Sequence, residues 1–198
     1  MPEPSLKRYR FLFPLFLFLL LILTNKHYSF KESIERGQTD VKDYVFLAQH
    51  PPLQWVKIPF YHAQRFMIPH ALGWVSKKLG IGVEWVFRIT TVLGLIAILI
   101  IFSSGLVKNG FSNHTYLLSL SFLVLNPYFF RFYLAYPGMV TETIFILGLT
   151  WMISGLWNGK RGPIYLGSVL AAATRQTALL LLFPLAFWVW KGTKWQSE

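Results

Sequence analysis

The chain has 198 residues, of which 54% are hydrophobic and only 14% are charged, and its formal net charge is +11. Because an ordinary soluble domain has about 25% charged residues, this composition excludes a typical soluble domain and indicates a membrane protein. The basic residues stand between apolar blocks, and no nucleic-acid-binding motif occurs, so we expect no nucleic-acid partner. The absence of cysteine excludes disulfides, thiol nucleophiles and zinc–thiolate sites.

The first apolar block, FLFPLFLFLLLILT, covers residues 11–24 and follows Lys7, Arg8 and Arg10. It is shorter than the roughly 20 residues that are needed to cross the hydrocarbon. A secretory signal peptide has a similar length and charged start, but the following TNKHYS lacks the small residues of a cleavage site. The block is therefore predicted to be an uncleaved first transmembrane helix.

Residues 25–83 contain no further apolar block and are predicted to form a long extracytoplasmic loop. Two pieces of this loop, TDVKDYVFLAQ and RFMIPHALGWVSKKLG, have the apolar spacing of short amphipathic helices. Helices of this kind lie along the membrane surface. In the second piece, Phe66, Ile68, Leu72 and Trp74 are expected to face lipid.

Four later apolar blocks cover residues 89–107, 116–130, 139–157 and 164–190. The last block is interrupted by Arg175 and Gln176, which favours a hairpin of two short helices over one long helix. The sequence thus predicts an all-α polytopic membrane protein with a single membrane domain, residues 1–198. This domain is expected to have about six transmembrane helices and a long first extracytoplasmic loop that carries interfacial amphipathic helices.

The positions of the basic residues predict the orientation of these helices, because lysine and arginine concentrate in cytoplasmic loops. The N-terminus, Lys108, Lys160 and Lys194 are then expected in the cytoplasm. The loop at residues 25–83 would share the opposite face with Arg131 and Arg175. The polar groups of interest therefore fall on one predicted side of the membrane.

Two of the eight acidic residues, Asp40 and Asp43, lie at the start of the first predicted loop helix. Asp40, Tyr44 and Leu47 are four and seven positions apart, which puts them on one helical face. An aspartate in the first turn also stabilises a helix through its dipole, by about 0.3–1 kcal/mol. Asp43, next to Lys42, is equally consistent with a solvated surface charge. Spacing alone leaves these roles open.

Three further ionisable residues stand beside or within apolar blocks: Arg131, Glu142 and Arg175. An ionisable group at membrane depth is costly and is therefore a functional hypothesis. The alternative for Glu142 is a helix cap at the interface, and the alternative for Arg131 is snorkelling to the interface. An anionic lipid head group would satisfy both arginines, since a guanidinium matches the geometry of a phosphate. The histidines have no metal-binding spacing.

Four segments match one known pattern in their order. They are the Asp40, Tyr44, Leu47, Ala48 stretch, then PFYHAQRFMIPHALGWVSKKLG, then YPGMVTETIF and finally LAAATRQTALLLLFPL. The first resembles D-x-x-x-Y-x-x-[LI]-A, and the last resembles A-A-x-T-R-P-T-x-L-L-L-x-P. Together these segments, spread over roughly residues 8–191, resemble the integral-membrane GT-C glycosyltransferases, particularly the GPI-mannosyltransferase-like bacterial members.

This resemblance implies an inverting transfer of a sugar from a polyprenyl-phosphate donor to a hydroxyl acceptor. Asp40 takes the position of the general base, with Asp43 in reserve. The residues implied in substrate binding are Tyr44, Arg65, Arg131, Glu142 and Arg175. The expected partners are a polyprenyl-phosphate-linked sugar and membrane lipid in a bacterial inner membrane. No cofactor is implied, and a divalent metal ion is left open.

Members of that superfamily continue for several more spans, so the resemblance covers the N-terminal half of their fold. The chain is therefore expected to be truncated or inactive alone, or to need a partner subunit that supplies the C-terminal half. The competing hypothesis is a non-enzymatic membrane protein, such as a transporter half or an assembly subunit. In that case Glu142 and Arg175 would form a structural pair, whereas an enzyme would also need Asp40.

Overall fold

A computed structural model of the chain describes residues 6–38, 40–52, 54, 58–59 and 65–175. Within these residues all the regular structure is helical, as the sequence predicts. The described chain also contains a π-helical turn, Pro127–Arg131, and a 3-10 turn, Pro137–Met139. The helices are α1 (Leu6–Thr24), α2 (Phe30–Glu35), α3 (Asp40–Gln49), α4 (Met67–Leu79), α5 (Val83–Lys108), α6 (Asn113–Leu125), α7 (Phe132–Ala135), α8 (Val140–Trp157) and α9 (Arg161–Thr174).

Three stretches of the described chain are long and apolar enough to cross a membrane: Val83–Lys108, Asn113–Ala135 and Pro137–Trp157. They contain the blocks predicted at 89–107, 116–130 and 139–157, and each extends beyond its predicted bounds. Leu12–Thr24, within the predicted first span, is a shorter apolar helix. The chain is thus a membrane protein with at least these candidate spans. Of the hairpin predicted at 164–190, α9 covers the first part, and residues 176–190 lie outside the described part.

The spanning helices pack around a core to which α1, α5, α6 and the π-helical turn all contribute. Phe18 of α1 meets the ring of Phe130 edge to face, with 5.7 Å between the ring centroids. The hydroxyls of Ser103 and Tyr116 lie 2.7 Å apart and join α5 to α6 inside this core. Burying apolar side chains stabilises the fold by about 25 cal/mol per Å² of apolar surface removed from water. The same packing fixes how the ends of the helices are aligned.

Two helix pairs approach each other closely through glycines, and these contacts give the helix directions. A Cβ on Gly94 would lie 2.7 Å from the Thr143 side chain, and one on Gly105 would lie 3.0 Å from the Trp157 ring. α5 and α8 are therefore parallel. α9 lies antiparallel on α8 and is also packed through small residues. As a result, the first turn of α8, the last turn of α9 and the first turns of α5 lie at one end of the bundle.

The segment that follows α1 is fastened to this same end. The last carbonyls of a helix have no partner inside the helix. The Asn25 side-chain amide donates to the carbonyl of Arg131 at 2.9 Å, and the Tyr28 backbone N–H donates to the carbonyl of Ala135 at 2.9 Å. The loop thus begins at a defined place, beside the start of α8.

The loop helices pack on the bundle through a second apolar cluster, to which Tyr44, Leu47, Phe87 and Val140 belong. α4 lies against α3, and Gly73 makes this possible because any Cβ there would collide with the Ala48 carbonyl.

The lipid-facing surface predicted for α4 needs a correction. Phe66 and Trp74 are exposed as expected, and Ile68 is half-buried. Leu72, however, packs against the second cluster and so faces the protein. Leu72 directly precedes Gly73, where α4 meets α3, and this position explains the difference.

Candidate functional site

α3 presents the first two candidate residues, Asp40 and Tyr44. Val41, Tyr44, Leu47 and Ala48 are buried and form the inner face of the helix. Asp40 is the first residue of α3 and is half-buried, one turn before Tyr44. Because residues four apart in a helix lie on the same side, α3 points both polar groups toward the start of α8.

Glu142 lies in the first turn of α8, and its carboxylate does not cap the helix. Met139 is the N-cap residue and makes no side-chain cap. The carboxylate of Glu142 instead accepts hydrogen bonds from two arginines, and its side chain is only 16% exposed. The Thr141 hydroxyl also donates to it, at 3.5 Å. Glu142 is therefore the central acceptor of a polar cluster.

Arg175 directly follows the last turn of α9, and two of its nitrogen atoms donate hydrogen bonds to the carboxylate of Glu142. Its Nη2 donates to Glu142 Oε1 at 2.5 Å, and its Nε donates to Glu142 Oε2 at 3.3 Å. Two parallel bonds of this kind fix the orientation of both groups. The guanidinium also lies over the ring of Phe145, at 5.2 Å from its centroid. With 36% of its side chain exposed, Arg175 remains accessible to a ligand.

Arg65, from the loop, joins the same carboxylate to α3. Its Nη1 donates to the Tyr44 hydroxyl at 2.9 Å and to Glu142 Oε1 at 3.3 Å. Burial lowers the pKa of Arg65, but the hydrogen bond that Arg65 donates to Tyr44 and the negative charges of Glu142 and Asp40 outweigh it, so the pKa is raised. Burial also raises the pKa of Tyr44. Arg65 therefore stays charged and Tyr44 stays neutral.

Most of the residues implied by the resemblance thus lie together. Tyr44, Arg65, Glu142 and Arg175 make direct contacts, and we call these four residues the polar cluster. The negative charge of Asp40 contributes to raising the pKa of Arg65. The reserve residue Asp43 is half-buried on α3.

Arg131 is the one candidate that lies apart. Its side chain is exposed on the π-helical turn, and no side-chain contact joins it to the polar cluster among the described residues. Its backbone carbonyl accepts the hydrogen bond of Asn25. Interfacial snorkelling, the alternative that the sequence leaves open, is consistent with this exposure.

Two residues beside the polar cluster were not predicted from the sequence. Thr141 is fully buried and contacts both Glu142 and Tyr44. Tyr133 lies close enough to respond to the charges of Glu142 and Arg175. The sequence signal for Thr141 was its position directly before Glu142. Tyr133 sits in an aromatic run, PYFFRFYLAY, that looks like an ordinary membrane-interface belt.

The arrangement can bind an anion and can take up a proton. Two guanidinium groups share the carboxylate of Glu142, so the pair of cations is only partly neutralised there, and the charge of Asp40 acts on Arg65 as well. A guanidinium has five N–H donors, and Arg175 uses two of its nitrogens on Glu142. No group of three or more His, Cys, Asp or Glu that could hold a metal ion occurs among the described residues.

Comparison of the chain with protein-family models, with curated proteins and with solved structures gives no match.

Proposed function

We propose that this chain is a glycosyltransferase-like membrane protein which, alone or with a partner subunit, transfers a sugar with inversion from a polyprenyl-phosphate donor to a hydroxyl acceptor. The proposal places it in a bacterial inner membrane, with the polar cluster at the extracytoplasmic face. One observation supports it most. One residue from each of the four resembling segments belongs to a single hydrogen-bonded cluster: Arg65 and Arg175 donate to the carboxylate of Glu142, and Arg65 also donates to Tyr44, although the four are far apart in sequence.

The contacts suggest a division of roles between the two carboxylates. Both oxygens of Glu142 accept hydrogen bonds from guanidinium groups, so this residue positions Arg65 and Arg175. Asp40 lies at the start of α3 at the edge of the cluster and is half-buried. A general base must reach the proton that it removes. Asp40 is therefore the residue to which we assign proton removal.

In the proposed reaction the acceptor oxygen attacks the anomeric carbon of the donor sugar. The bond between this carbon and the phosphate oxygen breaks, and its electron pair leaves with the polyprenyl phosphate. The acceptor proton passes to Asp40. Arg175 binds the phosphate and stabilises the charge that develops on it, because fixed cations lower the energy of such a transition state. A new glycosidic bond forms with inverted configuration.

The test is transfer of radiolabelled sugar in membranes that contain the chain, supplied with a panel of polyprenyl-phosphate sugars. Asp40→Asn keeps the shape of the side chain but cannot take the proton, so transfer should fall about 10²–10⁴-fold while donor binding is retained. Asp43→Asn should lose less, and Glu35→Gln, an exposed carboxylate on α2, should be unaffected. Full transfer by Asp40→Asn would remove Asp40 from the mechanism.

A second variant tests the phosphate contact separately. Arg175→Lys keeps the positive charge but loses the two parallel hydrogen bonds of a guanidinium. The concentration of donor needed for half-maximal transfer should rise, with a smaller effect on the maximal rate. A change in maximal rate alone would contradict a donor-binding role for Arg175.

The non-enzymatic alternative is favoured by one specific contact. Glu142 and Arg175 form the ion pair between α8 and the end of α9 that a purely structural role requires. Glu142→Gln is expected to destabilise the protein under either account, so Asp40→Asn is the variant that separates them: under this alternative it would change nothing measurable. If no donor is consumed by wild-type membranes, with or without the native host's other membrane proteins, the structural role is the better account.

A further inference from the structure

A positively charged surface lies at the same end of the bundle as the polar cluster but outside it. Lys26, Arg36 and Arg131 are exposed there, and we call these three residues the interfacial basic surface. The arginines that form ion pairs in the described chain all lie elsewhere. Among the described residues, the three cations therefore make no ion pair with a carboxylate.

The segment after α1 holds Lys26 beside Arg131. The side-chain amide of Asn25 donates to the carbonyl of Arg131 at 2.9 Å. On the other side of Lys26, the ring Nδ1 of His27 lies 3.1 Å from the carbonyl oxygen of Leu134. Lys26 thus stands between two residues that are bonded to the end of the same membrane-spanning stretch. Its backbone is fixed against the π-helical turn that carries Arg131.

An aromatic stack brings Arg36 to the same place. Tyr136 stacks on the ring of Tyr28, with 5.0 Å between the ring centroids. The guanidinium carbon of Arg36 lies 4.2 Å from the centroid of Tyr28, and the ammonium nitrogen of Lys26 lies 5.3 Å from it. A cation–π contact uses the field of the ring and does not consume N–H donors. The stack therefore holds two cations close together without neutralising them.

The nearby carboxylates reduce this positive charge but do not cancel it. Hydrogen bonds from Ser29 lower the pKa of Glu32, and the charges of Lys26 and Arg36 lower it further, so Glu32 is a negative charge beside these two cations. Three cations and one carboxylate leave a formal charge of +2. The other charges on α2 and at the start of α5 balance in sign: Lys31 and Glu35 on α2, and the ion pair of Arg88 and Glu84 on α5.

The interfacial basic surface continues directly into apolar surface that faces the bilayer. Leu23, near the end of α1, is 74% exposed, and Tyr128, in the π-helical turn, is 85% exposed. The stretch Asn113–Ala135 is a candidate membrane span. Cations at the end of such a span reach the depth of the lipid head groups. In the proposed orientation this is the extracytoplasmic side, where basic residues are less frequent.

We propose that the interfacial basic surface binds the head group of an anionic phospholipid from the surrounding leaflet. Arg131 and Lys26 donate to the phosphodiester oxygens, since a guanidinium matches the geometry of a phosphate, and Arg36 adds a further positive charge. The acyl chains lie along the exposed apolar side chains of α1 and α6. A zwitterionic head group would leave the charge of the surface uncompensated. The inference does not depend on sugar transfer, because it uses none of the polar-cluster residues.

The experiment uses the purified full chain in phosphatidylcholine nanodiscs and a phosphatidylglycerol probe with a diazirine near the glycerol end of one acyl chain. After illumination, mass spectrometry should locate saturable labelling on residues 16–23 and 122–128. Lys26→Gln and Arg131→Gln should each raise the half-saturating probe concentration about fivefold, the effect of one basic residue at an anionic membrane surface. Lys108→Gln is the matched control, because Lys108 is an exposed cation at the other end of the bundle.

Both test variants change exposed side chains, so their unfolding temperatures in phosphatidylcholine nanodiscs should match that of the wild type. Competition then identifies the source of the phosphate. Unlabelled phosphatidylglycerol should displace the probe, whereas inorganic phosphate and additional phosphatidylcholine should not. Labelling that does not saturate, or equal half-saturation in the wild type and both variants, would overturn the proposal. Displacement by polyprenyl phosphate at a lower concentration than by phosphatidylglycerol would overturn the phospholipid assignment.

Discussion

At the scale of single residues, Glu142 holds together groups that would otherwise repel each other. Arg65 and Arg175 both donate to its Oε1, at 3.3 and 2.5 Å. Removing the negative charge would leave two guanidinium groups facing each other in a half-buried place. Loss of one partner from a buried ion pair costs about 3–5 kcal/mol, and exposure reduces this cost.

We therefore expect Glu142→Gln to lower the free energy of unfolding by about 2 kcal/mol, since its side chain is 16% exposed and the two arginines are 24% and 36% exposed. Thermal unfolding of the purified protein measures the change. Glu35→Gln removes an exposed carboxylate of α2 and should leave the unfolding temperature unchanged. Equal unfolding temperatures for both variants would mean that the pair contributes nothing to stability.

The sequence identifies some members of the polar cluster, but it says less about which of them contact each other. Glu142 and Arg175 are visible because charges are rare in apolar blocks. Arg65 emerges only from the resemblance, since a single arginine in a polar loop is unremarkable. The contacts themselves join residues 33 and 77 positions apart. Helical periodicity relates residues three or four apart, so it cannot predict such pairs. The pair of Glu142 and Arg175 was expected only under the non-enzymatic hypothesis, and the structure contains it.

At the scale of elements, α8 and α9 form the most extensive helix pair in the described chain. A Cβ on Gly148 would lie 2.7 Å from both the Ala171 nitrogen and the Gly167 carbonyl oxygen. Backbone atoms cannot move aside as a flexible side chain can. Small residues are common where membrane helices approach each other closely, and this contact positions Arg175 at the end of α9.

Gly148→Ala should push the two helices apart and lower stability by about 1–3 kcal/mol, the usual cost of overpacking. Gly162→Ala is the matched control, because a Cβ there would meet nothing within 4 Å. The control should be neutral or slightly stabilising, since alanine favours a helix. The test compares the unfolding temperatures of the two variants. An unchanged unfolding temperature for Gly148→Ala would show that the interface adapts without cost.

Hydropathy predicts the existence of the spanning helices, and their ends follow other rules. α5 begins at Val83, before the predicted start at residue 89, and its first turns carry the Glu84–Arg88 ion pair. A spacing of four between opposite charges was visible in the sequence. The turn that begins at Pro127 was harder to predict from the sequence, because a proline usually ends a helix. Here it starts a π-helical turn that leads into α7.

At the scale of the whole molecule, the described helices have two polar ends. One end combines the loop helices with Glu142 and Arg175, and the other combines Lys108, the start of α6, and Lys160. Basic residues favour the cytoplasmic side. The proposed orientation therefore puts the second end in the cytoplasm.

Single cysteines can test this orientation, because the chain contains none of its own. Glu35→Cys is preferable to a cysteine at Ser33, which is fully buried. A membrane-impermeant thiol reagent should label Glu35→Cys in intact cells. His114→Cys and Lys160→Cys, both at exposed positions, should be labelled only after the membrane is permeabilised. The reverse pattern would place the polar cluster in the cytoplasm.

The fastening of the chain after α1 has a mechanical consequence for Asp40. Asn25 is bonded to the carbonyl of Arg131 in the π-helical turn, and Tyr28 to that of Ala135 at the end of α7. α2 is anchored through Phe30, whose ring meets Phe87 edge to face. These contacts hold the chain from Asn25 to Phe30 against the bundle. Beyond it, Gly37 has φ +86° and open space where a side chain would be. The left-handed turn at Gly37 therefore directs the chain from α2 back onto the bundle, and so it sets where Asp40 stands relative to Glu142 and Arg175.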